Sequence, residues 1–215
     1  MRNALGELCQ LYWRPIYALA RGAGHSRDDA ADLIQGFVEQ IMTSNALGKV
    51  QPELGRFRNW LKTTFKNFMA NEARGARAQK RGGGATWLSY DAMDAEDRHH
   101  VQTIAAAERT PEQAYLCRWA HSVKEHAINQ LRKDYEAAGK LDWFEQLRGF
   151  LDGSNQGYEQ LARELTVPAA TLRKRRNAMS QRLNALLRAE VEHTVTQRSD
   201  VDHELHELIS LLANC

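Results

Sequence analysis

Apolar positions recur three and four residues apart along most of the chain, which is the period of amphipathic helices. Leu5, Leu8, Leu11, Tyr12, Ile16 and Leu19 predict a helix over residues 4–21. Pro15 should kink or interrupt it, because proline removes a donor and crowds the preceding turn. Ser26 followed by Asp29 is a helix-start pattern. From there Ala30, Leu33, Phe37, Ile41 and Met42 keep helical spacing, with Asp28, Asp29, Asp32 and Gln35 on the opposite face. Pro52 opens a third helix, whose buried stripe is Phe57, Trp60, Leu61, Phe65, Phe68 and Met69. Arg58, Asn59, Lys62, Thr63, Lys66 and Asn67 fall largely outside that stripe, and the helix should end before Gly82.

Residues 82–109 mix glycine, acid and small polar side chains and read as a linker. Thr110-Pro111-Glu112-Gln113 combines a cap, a first-turn proline and a capping-box partner. The long helix that follows should turn Tyr115, Trp119, Val123, Ala127, Leu131 and Tyr135 inward. A short amphipathic helix spans Leu141 to Leu151, and a loop covers 153–157. Residues 158–187 have the pattern of a helix-turn-helix, with Tyr158–Leu165 first, Thr166-Val167 as the turn and Pro168 starting the second helix. Ala162, Thr166 and Leu172 stand where that motif places a small residue, a turn residue and an aliphatic plug. Thr166 replaces the usual glycine. Arg173, Lys174, Arg175 and Arg176 are expected on the exposed side of the second helix. Ser199 and Asp202 start a final amphipathic helix ending near Leu212.

The fold class that follows is all-α, with two helical domains joined by a linker. At 215 residues there is material for one or two small cores. Apolar content of 43% is too high for wholesale disorder, and no apolar run is long enough to cross a bilayer. The first residues have no secretory-signal pattern. Cys9, Cys117 and Cys215 are odd in number and far apart, which argues against a disulfide framework and for a reducing, cytoplasmic setting. Cys9 and Cys117 lie near apolar stripes and read as core thiols.

The net charge of +2 conceals segregation. Residues 56–81 hold eight basic residues against Glu72, and residues 173–188 hold six with no acid. Acids gather at 28–32, 91–97 and 190–207. A single basic run is ordinarily a solvated helix face. Two on separate elements suggest two contacts with one polyanion. No phosphate-binding loop, dinucleotide fingerprint, nucleophile elbow or zinc-binding pattern occurs, so neither catalysis nor a cofactor is expected. His203 and His206 lie three apart on the last helix but read as a solvated face, not as metal ligands.

The segment LGRFRNWLKTTFKNFMANEARGARAQKRGGG resembles regions 2.3 and 2.4 of bacterial sigma factors of the extracytoplasmic-function group, through Phe57, Arg58, Trp60, Leu61, Asn67, Glu72 and Arg74. Upstream, DDAADLIQGF is similar to that group's DAEDLxQExF. Downstream, ELTVPAATLRKRRNAMSQRL resembles the helix-turn-helix of region 4.2. The resemblance covers about residues 5–82 and 110–188. The junction after Arg74 and the tail look like a less typical subgroup with a C-terminal extension.

The resemblance implies region 2 at 1–82, a linker at 83–109, region 4 at 110–188 and an extension at 189–215. It implies a protein that binds core RNA polymerase and directs transcription from promoters. Arg56, Arg58, Asn59, Trp60, Lys62, Thr63, Lys66 and Asn67 would serve the melted −10 element, with Asn67 near a flipped base and Trp60, in phase with the core stripe, either packed in the core or stacked on a base. Ala170, Thr171, Arg173, Lys174, Arg176 and Asn177 would read the −35 duplex. Asp28, Asp29, Asp32, Leu33 and Gln35 would dock on the β′ clamp helices of polymerase, and region 4 would meet the β flap. Ala31 and Gly36 replace two usual glutamates on that docking face, which would weaken it. An anti-sigma factor, or a Ser/Thr kinase adding phosphate near Ser26 or Thr43, would compensate or regulate. Acids 91–97 are candidates to cover a basic face. Two alternatives remain: a helix-turn-helix regulator that acts without polymerase, and a partner-gated interaction protein.

Overall fold

Helices account for all the regular structure in the computed structural model, which describes residues 2–44, 46, 56–78, 109–151, 157–195 and 197–215. The eight α-helices among these residues are α1 (Arg2–Gly22), α2 (Arg27–Thr43), α3 (Phe57–Ala78), α4 (Pro111–Ala137), α5 (Leu141–Leu147), α6 (Tyr158–Glu164), α7 (Ala169–Glu192) and α8 (Val201–Asn214). Short 3₁₀ turns follow α5 and precede α8. None of the described helices is long and apolar enough to cross a membrane. Pro52, the linker with its acids 91–97, and the loop at 153–156 lie outside the described residues. So do the side chains of Leu5, Leu8 and Cys9.

Local signals set most helix starts. Ser26 accepts from the Asp29 amide at 3.1 Å and donates to its carboxylate at 2.6 Å, which caps α2. Thr110 and Gln113 exchange bonds in both directions, so α4 begins with the complete capping box. α1 continues through Pro15 without the interruption that was one of the two expected outcomes. Pro15 is buried, with Tyr12, Ile16 and Leu19 packed around the same part of the helix. Tertiary packing holds the helix where propensity would break it.

Two compact units divide the described chain. One comprises residues 1–122 together with 194–215, and the other residues 123–193. α4 gives its first half to one unit and its second half to the other, and the tail joins the first.

The core of the first unit is aromatic. Phe37 of α2 meets Phe65 and Phe68 of α3 at ring separations of 4.9 and 5.6 Å, and Tyr12 of α1 meets Phe57 at 5.2 Å. Ile34, not Leu33, joins Ala30, Phe37 and Ile41 in the buried stripe of α2, and Met42 is 60% exposed. α1 and α4 approach closely at Gly22, where a Cβ would stand 2.9 Å from the Pro111 Cα. In the second unit, Val123, Ala127 and Leu131 of α4 are buried, as are Phe144 and Leu147 of α5 and Leu172, Met179, Leu183 and Val191 of α7. Arg182 pairs with Asp134, and His126 with Glu190 at 2.9 Å.

Candidate nucleic-acid interface

The basic start of α3 does not present its arginines to solvent. Arg58 falls at helical spacing with Leu61 and Phe65, so it takes a core position and is 1% exposed. A guanidinium there needs a counter-charge and hydrogen-bond acceptors. Glu204 of α8, 0% exposed, supplies both: Arg58 Nε donates to Oε1 at 2.6 Å and Nη2 to Oε2 at 3.0 Å. Glu207 lies 2.7 Å from the same Nη2. The Trp119 ring of α4 covers the guanidinium, 4.6 Å from its centroid, a favourable cation–π placement. The Tyr115 hydroxyl donates to the Arg58 carbonyl at 2.8 Å. Arg56 is drawn into the same cluster by Glu204 at 2.8 Å, by Glu207, and by His203 Nδ1.

Burial opposes the charge on Arg58, but hydrogen bonds and the charges of Glu204 and Glu207 outweigh it and hold the guanidinium above its ordinary value. Burial likewise opposes ionisation of Glu207, yet Arg58 and Arg56 keep its carboxyl below the usual range. The hydrogen bond from Lys66 lowers Glu112 in the same direction, and that from Arg182 lowers Asp134. A carboxylate whose folded value is depressed stabilises the fold above its ordinary value and loses that contribution as pH falls through the folded one. Unfolding midpoints in urea should therefore fall as pH drops below about 4.5, the ordinary value for Glu207. Glu207→Gln should flatten that slope. An unchanged slope would show that the pairing with Arg56 and Arg58 carries no net stability.

The exposed side of the first turns of α3 carries a row of amide, hydroxyl and ammonium groups. Asn59, Thr63, Lys66 and Asn67 are exposed and Lys62 is half-buried, all on one side of the helix. Lys66 pairs with Glu112 of α4, an exposed contact that solvent screens. Trp60 is half-buried, with its ring 5.4 Å from Phe57. On α2, Asp28, Asp29 and Asp32 are exposed, and Leu33 and Gln35 are half-buried beside them. The Asp29 carboxylate is already engaged by Ser26.

A tight turn joins α6 to α7, where a helix-turn-helix was expected from the sequence. Thr166 N–H bonds the Arg163 carbonyl at 3.2 Å and Val167 N–H the Ala162 carbonyl at 3.0 Å, the paired bonds of a Schellman cap. The same pair of bonds ends α1 and α4, with glycine in the left-handed position, at Gly24 and Gly139. Here Thr166 takes that position at φ 54°. Ala162 and Leu172 are buried, as the motif requires. A left-handed β-branched residue costs about 1–2 kcal/mol, against about 0.5–1 kcal/mol for the extra freedom that glycine has in the unfolded chain. Thr166→Gly should thus stabilise the fold by about 0.5–1 kcal/mol in urea denaturation. A destabilised variant would mean that the threonine makes a compensating contact.

Ala170, Arg173, Lys174 and Asn177 are exposed along one side of α7, with Thr171 and Arg176 half-buried at its edges. Arg175, expected on that side, instead lies over the Trp143 ring of α5 at 3.4 Å from its centroid. Trp143 gives its charge a π-face, so it belongs to the packing between α5 and α7.

Nothing in the residue pattern pointed directly to Glu204, Glu207, Glu112, Trp119 or Trp143 as partners of the basic residues. The segregation of acid into 190–207 was the one available signal. A further correction concerns the thiols. Cys117 is not a free core thiol but is bonded to Cys215, with Cα atoms 5.7 Å apart. Helical packing brings together residues 98 positions apart, which spacing along the chain cannot reveal. Among the described residues no group of three or more His, Cys, Asp or Glu is placed to hold a metal. No family model, no curated protein and no solved structure matches the chain.

Proposed function

We propose that the chain is a non-catalytic, cytoplasmic sigma factor of the extracytoplasmic-function type, which binds core RNA polymerase and directs transcription from promoters with −10 and −35 elements. The observation that carries this is the row Asn59, Lys62, Thr63, Lys66 and Asn67 on one side of α3, exposed except for the half-buried Lys62 and backed by an aromatic core. Such a row offers cations to a phosphate backbone and amides to an unstacked base, as melted DNA requires. The basic side of α7 suits a duplex, and the acids of α2 suit a cationic polymerase surface. The division at residues 122 and 194 would place the sigma regions within two units of different boundaries, with the tail belonging to the promoter-melting unit.

The test is transcription in vitro with core polymerase on pooled promoter fragments, with start sites mapped. A sigma factor gives discrete starts sharing two upstream elements. Lys62→Ala with Lys66→Ala should abolish promoter opening while duplex binding through α7 is retained. For melted strands, the slope of log affinity against log salt should fall by about 0.7 for each phosphate contact removed. The internal engagement of Arg56 and Arg58 favours one second reading, a helix-turn-helix regulator acting without polymerase. That protein would bind a duplex operator alone, and the two lysine substitutions would leave its specificity intact.

A further inference from the structure

α8 carries the counter-charges of the basic segment. Its fully buried residues are Val201, Glu204 and Leu208. At its far end the Cys117–Cys215 bond ties it to α4, and Arg109 Nη2 donates to the Cys215 carbonyl at 2.8 Å. Cys117 is 5% exposed, whereas Cys215 is only half-buried. Cys117 also lies on α4 between Tyr115, which binds the Arg58 backbone, and Trp119, which covers the Arg58 side chain. The covalent tie and the arginine cluster are thus built on the same two helices. In the cytoplasmic setting proposed above, a disulfide is ordinarily transient and catalytic or redox-sensing.

We propose that the Cys117–Cys215 bond is a redox latch on α8, which controls whether Arg56 and Arg58 are held by Glu204 and Glu207 or released. Its significance for DNA rests on the reading of α3 as a melted-DNA face. In the oxidised chain α8 is pinned and the two guanidiniums are neutralised internally. Reduction removes the pin, α8 detaches, and both guanidiniums become available to phosphate.

Opening consumes a dithiol. One of its thiolates attacks Cys215 Sγ, the S–S bond breaks, and Cys117 leaves as a thiolate that takes up a proton. The second thiol of the reagent then displaces Cys215, leaving a cyclic disulfide, so two electrons and two protons pass to the protein. Closing consumes hydrogen peroxide. The Cys215 thiolate attacks the O–O bond, water departs, and a sulfenic acid forms. Cys117 Sγ then displaces the hydroxyl as a second water and the S–S bond is restored.

The experiment compares the oxidised full chain with the dithiothreitol-reduced chain and with Cys215→Ser. Cys9→Ser serves as a control that retains the latch. Amide hydrogen exchange over 201–214 reads the latch without any ligand. A fluorescein-labelled single-stranded DNA oligonucleotide of mixed sequence, titrated at several salt concentrations, reads the consequence. In the reduced chain and in Cys215→Ser, exchange over α8 should be faster by at least about tenfold. DNA binding should tighten, its salt slope steepening by about 0.7 for each guanidinium released. Peroxide should reverse both changes in the wild type and neither in Cys215→Ser. Equal exchange in the oxidised and reduced chains would overturn the latch, whatever the DNA result. Faster exchange with unchanged DNA binding would uphold the latch and overturn instead the assignment of α3 to melted DNA.

Discussion

Replacing Glu204 with alanine is expected to destabilise the first unit by about 3–5 kcal/mol, the largest effect of any single substitution in the cluster. The side chain is fully buried and accepts two hydrogen bonds from Arg58. Removing it leaves a guanidinium in the core with only Glu207, which is partly exposed, to balance it. The cost is that of a stranded charge and exceeds the net worth of the pair. Glu204→Leu combined with Arg58→Met should therefore recover much of the loss, because two apolar side chains need no counter-charge. Urea denaturation of the two single variants and the double variant forms the cycle. A loss below about 1 kcal/mol for Glu204→Ala would show that water reaches Arg58 and that the site is not a closed core.

The second large effect belongs to the disulfide. Reducing it, or substituting Cys215→Ser, should lower stability by about 2–4 kcal/mol, approaching about 4.7 kcal/mol in the chain-entropy limit for a loop of about 100 residues. The bridged cysteines are 98 residues apart, so the bond restrains a long stretch of unfolded chain. Urea midpoints with and without dithiothreitol measure it. The reduced wild type and Cys215→Ser should coincide. Cys9→Ser should respond to reductant as the wild type does. An unchanged midpoint on reduction would mean that the folded state loses as much restraint as the unfolded one. Both perturbations act on α8, so their effects should couple, and Glu204→Ala should cost less in the reduced chain than in the oxidised one.

Helix positions were legible because their causes are local. Thr110 and Gln113 cap α4 with atoms three residues apart, and Ser26 does the same for α2. Facing was legible only where a single stripe exists. α2 carries adjacent apolar pairs at 33–34, 37–38 and 41–42, so its stripe can turn by about one residue, roughly 100°. Phe37 settles the matter by packing on Phe65 and Phe68, which favours Ile34 over Leu33. Arg58 illustrates the opposite difficulty. Its charge placed it outside the buried stripe although its spacing matches Leu61 and Phe65, and only a partner 146 residues away shows which of the two prevails. Thr166 was recognised as a departure from glycine, and the backbone accepts the departure by taking the left-handed conformation regardless.

The unit formed by residues 123–193 is nested between two parts of the other, and this has a consequence for the order of events on the ribosome. When α3 leaves the exit tunnel, the carboxylates that neutralise Arg58 have not been translated. The intervening unit can collapse on its own contacts, but the first unit waits for α8. Until then the nascent chain displays a cationic helix whose core position holds an unpaired guanidinium. Contacts of such long sequence separation form late, so the final docking of α8 should be the slow step of folding.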